Sequence, residues 1–186
     1  MNAFPTDPQR FLLSVESGDL EVATTPLAEG HPSGVFVMCH PHPLHEGTMD
    51  NKVVTTAVRA VAQQGVATVR FNYRGVGKSS GSYGDGEGEY EDLVSVIDWV
   101  RETLGEVPIW LGGFSFGTYI AYRGAQLPGV IGLLTVAPAV ETFDFEAQPV
   151  PQVPWAVILG DEDDVVPVDA MFGFLQQVPA PFTLYK

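Results

Sequence analysis

Cysteine is nearly absent from this 186-residue chain: Cys39 stands alone, so no intrachain disulfide can form. It sits in the apolar run Gly34–His40, where a small buried hydrophobe fits better than a reactive thiol. Basic residues are scarce as well, nine against 23 acidic ones, for a net charge of −14. A surface of that sign repels phosphate backbones and anionic lipid headgroups, so neither nucleic acid nor a membrane is an expected partner. Long hydrophobic runs are also missing. The longest, around Val130–Val140, is too short to cross a bilayer and is broken by Gly132 and Pro138. The start, Met1-Asn2-Ala3-Phe4-Pro5, has no basic region leading into an apolar stretch, so a secretory leader is not expected and the cytoplasm is.

What is present is a packed globular composition, 45% hydrophobic and 17% charged, at a length suited to one domain over residues 1–186. Phe11–Glu16 and Leu20–Thr25 flank Gly18-Asp19 and read as an N-terminal hairpin. Four further strands are expected at Gly34–His40, Val66–Tyr73, Val107–Leu111 and Val130–Ala137. Trp155–Leu159 and the closing Phe182–Lys186 complete the set. Helical spacing marks Asp50–Gln64, with Asp50 as a candidate N-cap, then Glu87–Leu104, Phe116–Gln126 and Val168–Val178. Strands alternating with helices imply an α/β class: a doubly wound, mostly parallel sheet with right-handed crossovers. Gly75–Gly88 reads as a glycine- and serine-rich surface loop. Glu141–Pro154 reads as an irregular lip over a site, too short for a separate lid domain.

The chemistry concentrates at Gly113-Phe114-Ser115-Phe116-Gly117. A G-x-S-x-G pattern after an apolar strand and before a helix describes a nucleophile elbow, in which the serine hydroxyl is held exposed above the sheet. An acid partner is expected after a later strand. Gly160-Asp161-Glu162-Asp163-Asp164 follows the strand ending at Leu159; Asp163 is the first choice and Asp161 the next. One oxyanion donor is expected from the Phe116 amide, at the positive end of the helix. A second would come from His40-Pro41-His42-Pro43-Leu44-His45; the prolines have no N–H, which leaves the amide of His42 or Leu44.

Taken together, these motifs resemble the α/β-hydrolase superfamily, and within it the small lidless bacterial serine hydrolases of esterase type. The resemblance rests on His40-Pro41-His42-Pro43, Gly47-Thr48-Met49-Asp50-Asn51, Phe71-Asn72-Tyr73-Arg74-Gly75-Val76-Gly77-Lys78-Ser79, the elbow, and Gly160-x-x-Asp163-x-x-Val166-Pro167. They run in order from about His31 to Pro167. The resemblance implies Ser115 as nucleophile, Asp163 as triad acid, a small-molecule ester or thioester substrate, no cofactor, and a triad histidine after one further strand. All four histidines, His31, His40, His42 and His45, precede Ser115. The base is therefore expected beyond Lys186, in a chain truncated within its last strand, with rescue by His42 or His45 as the alternative. A non-catalytic scaffold of the same fold is the rival reading.

Three other patterns carry less. His40-x-His42-x-x-His45 could suggest zinc, but Leu44 stands where such sites want an aspartate, and no metal is expected. Gly77-Lys78-Ser79 lacks the P-loop glycine, since Asn72 occupies its place, and Gly84-x-Gly86-x-Gly88 lacks dinucleotide spacing. Arg74 is expected to brace its loop against a carboxylate rather than touch substrate.

Overall fold

The computed structural model describes residues 3–27, 32–160, 168–179 and 181–186. Among the described residues eight strands form one sheet: β1 (Gln9–Val15), β2 (Gly18–Thr25), β3 (Val35–Cys39), β4 (Ala67–Phe71), β5 (Ile109–Phe114), β6 (Val130–Val136), β7 (Trp155–Ile158) and β8 (Phe182–Tyr185). Their spatial order is β1-β2-β4-β3-β5-β6-β7-β8. The hairpin β1–β2 joins β4 antiparallel, and every pairing from β4 to β8 is parallel.

Four α-helices among the described residues follow from this order. α1 (Lys52–Ala62) links β3 to β4, α2 (Glu87–Leu104) links β4 to β5, α3 (Phe116–Gly124) links β5 to β6, and α4 (Val168–Gln177) precedes β8. Right-handed crossovers that step in opposite directions lie on opposite faces of the sheet. The step from β3 back to β4 puts α1 on one face, and the steps toward β8 put α2, α3 and α4 on the other. The second face carries the larger core, where Leu93, Ile97, Trp99, Phe116, Ile120, Tyr122, Trp155 and Phe174 are all buried. All five residues of β3 are buried, as a parallel strand covered on both faces requires.

Two local expectations are corrected. The side chain that caps α1 is Asn51, whose Oδ1 accepts from the Val53 N–H at 2.8 Å. Asp50 is engaged instead by Arg10 from β1 and Arg70 from β4. The fifth strand also does not stop at Leu111; β5 continues through Gly112 and Gly113 to Phe114. It can do so because no side chain fits there. A Cβ on Gly113 would lie 2.2 Å from the Gly117 carbonyl oxygen, and one on Gly117 would lie 2.4 Å from that of Cys39. The glycines let strand, helix and the end of β3 meet backbone to backbone. Gly117→Ala is thus expected to cost roughly 1–3 kcal/mol or more, because both obstructing atoms are main chain; chemical denaturation of the variant beside the wild type measures it.

Candidate active site

Strand order reverses between β3 and β5, and the carboxyl ends of strands flanking such a reversal are where open α/β sheets form crevices. Ser115 leaves the end of β5, and His40–His45 leaves the end of β3. The serine adopts φ 51° and ψ −118°, a left-handed conformation that costs a non-glycine residue on the order of 1–3 kcal/mol. The surroundings impose it. Ser115 N–H donates to the Val136 carbonyl of β6 at 3.0 Å, and its own carbonyl accepts from the Thr118 N–H at 2.9 Å and from Thr118 Oγ1. Ser115 occupies the N-cap position of α3 without using its hydroxyl as a cap. Ser115 lines a cavity of about 190 Å³, together with His42, His45, Phe116, Ala139–Phe143 and Ala170. Phe116 is the first residue of α3, and a first-turn N–H has no partner within its own helix.

The three nearby histidines are differently occupied. His40 is fully buried; its Nδ1 lies 2.6 Å from the Pro41 carbonyl, and Nε2 accepts from the Tyr73 N–H at 3.2 Å. Both ring nitrogens are therefore used, and His40 does not converge with the other two. Burial pushes its pKa down to about 4. Because the folded value lies below the ordinary 6.5, this group's contribution is complete above pH 6.5 and is lost as pH falls toward 4. Against a His40→Gln variant, the wild type should lose about 3 kcal/mol of unfolding free energy between pH 7.5 and pH 4, by urea titration at each pH.

His42 Nδ1 accepts from the Leu44 N–H at 3.2 Å, and Nε2 lies 3.2 Å from the Tyr83 hydroxyl. An Nδ1 acceptor requires the neutral ring, and burial, then His45, push the His42 pKa down in keeping with that. With both nitrogens engaged, His42 is a wall of the cavity and has no free nitrogen to offer Ser115. The Leu44 amide is committed to that ring, which leaves His42 as the free-amide candidate at the start of the segment. His45 is exposed and stacks on His42 at 4.6 Å.

A polar scaffold holds this crevice. Arg74 clamps Asp92 of α2 through its backbone N–H at 2.8 Å, Nε at 3.0 Å and Nη2 at 2.8 Å, with Glu91 at 3.1 Å. The Asp92 carboxylate is fully buried, and its hydrogen bonds hold the Arg74 pKa above the usual arginine value. Glu89, also fully buried, accepts from the amides of Gly84 and Gly86 at 2.9 and 2.8 Å. Glu21 of β2 accepts from Asn72 Nδ2 at 2.8 Å and from the Lys78 N–H at 3.0 Å. Asn72 Oδ1 accepts in turn from the Met49 N–H at 2.8 Å. The glycine-rich loop is therefore pinned by three carboxylates, and Glu89, three residues after Gly86 and reaching back to its N–H, is the half of a capping box that shows in the sequence. Cys39 is fully buried with its pKa pushed to about 12 by burial, so it is an inert packing residue.

Asp161 and Asp163 lie outside the described residues, as does His31. Gly160, which follows the end of β7 by two residues, brings the chain to the same edge of the sheet. Among the described residues no group of three or more His, Cys, Asp or Glu side chains is arranged to hold a metal ion. Nor is any described helix long and apolar enough to cross a membrane.

A mostly parallel α/β sheet with a strained serine at the strand–helix turn beside its reversal point defines a class of protein. The chain belongs to the α/β hydrolase fold family, whose profile matches residues 36–157. It is similar to a lidless α/β serine hydrolase of Xanthomonas campestris, at 37% identity and a TM-score of 0.92, over 100% of this chain and 85% of that one. It is also similar to an α/β serine hydrolase homologue of Coxiella burnetii, at 42% identity and a TM-score of 0.91, over 98% and 89% of the two chains. An uncharacterized protein of Rickettsia prowazekii is 35% identical over 140 residues, 73% of this chain and 59% of that protein. The chain thus spans about three-fifths of that relative's length.

Proposed function

We propose that this protein is a serine hydrolase that cleaves a carboxylic ester or thioester through an acyl-enzyme. Ser115 Oγ attacks the carbonyl carbon while its proton passes to a triad histidine, which this reading places after β8. Asp163 orients that imidazole and stabilises its charged form. The tetrahedral oxyanion is held by the N–H groups of Phe116 and His42. Collapse breaks the bond to the leaving alcohol or thiol, which takes the proton back from the imidazole. Water then enters by the same route and releases the acid. No cofactor takes part, and the substrate is a small molecule met in the cytoplasm.

The observation that carries this reading is the backbone of Ser115: a left-handed serine, placed between Gly113 and Gly117, at a residue that lines a cavity. An ordinary structural serine gains nothing from such strain. The test is rapid-mixing hydrolysis of p-nitrophenyl acetate by the full-length protein. An acyl-enzyme predicts a burst approaching one p-nitrophenol per chain, followed by slower steady turnover. Absence of any hydrolysis would contradict the assignment.

A further inference from the structure

The geometry points to a substrate class for the site just proposed, and the inference rests on that reading. One half of the substrate is small, no larger than a single ring or a short alkyl chain, and Phe143 is the residue that sets the limit.

The cavity beside Ser115 holds about 190 Å³. An apolar cavity of about 150 Å³ accepts one benzene molecule, so this one has room for one ring and little more. Its inner boundary is a triangle of rings: His42 and Phe116 at 5.0 Å, Phe116 and Phe143 at 5.1 Å, His42 and Phe143 at 6.1 Å. His42 and Phe116 are fixed by β3 and α3. Phe143 comes from the irregular segment after β6, so it is the side of the triangle that the rest of the fold does not dictate.

That segment is nonetheless anchored. Phe143 stacks on Tyr119 of α3 at 5.3 Å, and the Tyr119 hydroxyl accepts from Gln148 Nε2 at 3.2 Å. Two residues on, Phe145 is buried among Tyr119, Tyr122 and Phe174, at 5.4, 5.2 and 5.7 Å. Gln126 Nε2 donates to the Pro149 carbonyl at 3.2 Å. A ring backed in this way is a wall, because displacing it would break contacts on both of its faces.

The test is kcat/KM on two ester series with the full-length protein: p-nitrophenyl acetate, butyrate and octanoate, and acetates of ethanol, benzyl alcohol and octanol. In one series at least, the octyl member should fall about tenfold or more below the short members. Phe143→Ala should raise the octyl-to-short ratio in the discriminating series about tenfold, and Phe143→Leu should raise it less. Such a change in ratio separates a wall from a residue that only supports the fold, since general destabilisation lowers all members together. Hydrolysis without size discrimination in either series, or a ratio unmoved in Phe143→Ala, overturns this inference and leaves the serine hydrolase standing. Failure to hydrolyse any member overturns both.

Discussion

Ser115→Ala is expected to lower kcat for ester hydrolysis by about a millionfold while leaving the fold intact. Loss on that scale follows because the triad works as a unit: with no oxygen nucleophile, the base has nothing to activate, and only binding and the oxyanion donors remain. The fold is spared because, among the described residues, the hydroxyl makes no capping hydrogen bond to α3. The bonds that set the elbow use the Ser115 backbone, N–H to Val136 and carbonyl to Thr118, and alanine keeps both. Circular dichroism and melting temperature should match the wild type. A variant retaining a tenth of the activity would place the nucleophile elsewhere.

Arg74→Ala should do the reverse. It leaves the fully buried Asp92 carboxylate without its cation and without two of its hydrogen bonds. Removing one partner of a buried ion pair costs about 3–5 kcal/mol, because the remaining charge is stranded in a medium that solvates it poorly. Surface pairs in this chain carry no such penalty; Arg101–Asp98, at 3.4 Å with Asp98 more than half exposed, is one. The Arg74 guanidinium is absent from the cavity lining. Protein that remains folded should therefore keep kcat/KM within about threefold, which is under 1 kcal/mol of barrier. Urea denaturation and steady-state kinetics on the same preparation separate the two effects. Lost activity with unchanged stability would make Arg74 a substrate contact instead of a brace.

Much of this was legible in the sequence because it rests on local patterns. Apolar runs alternating with helical spacing gave the class of sheet, and Gly113 and Gly117 around Ser115 marked the elbow. Arg74 after the strand, with carboxylates ahead in the next helix, announced an ion pair, though not which acid it would choose. The remainder depended on contacts between residues far apart in the chain. Asp50 and Asn51 are chemically similar candidates for one cap, and the arginines of β1 and β4 decided between them by engaging Asp50. Glycine pairs usually end strands, yet Gly112 and Gly113 extend β5, since Phe36, Met38 and Gly117 crowd them. The commitment of the Leu44 amide to His42 comes from the turn geometry of a short 3₁₀ segment, Pro43–His45. The Tyr83 contact to the same ring spans 41 residues, and the ring triangle around Phe143 joins three separate elements. No periodicity encodes such meetings.

The central claim is that Ser115 is a nucleophile, and a fluorophosphonate probe on the full-length protein tests it most directly. The account predicts one covalent adduct per chain by intact mass, located at Ser115 by peptide mapping and abolished in Ser115→Ala. A folded protein that takes up no probe, or takes it up at another residue, would contradict it.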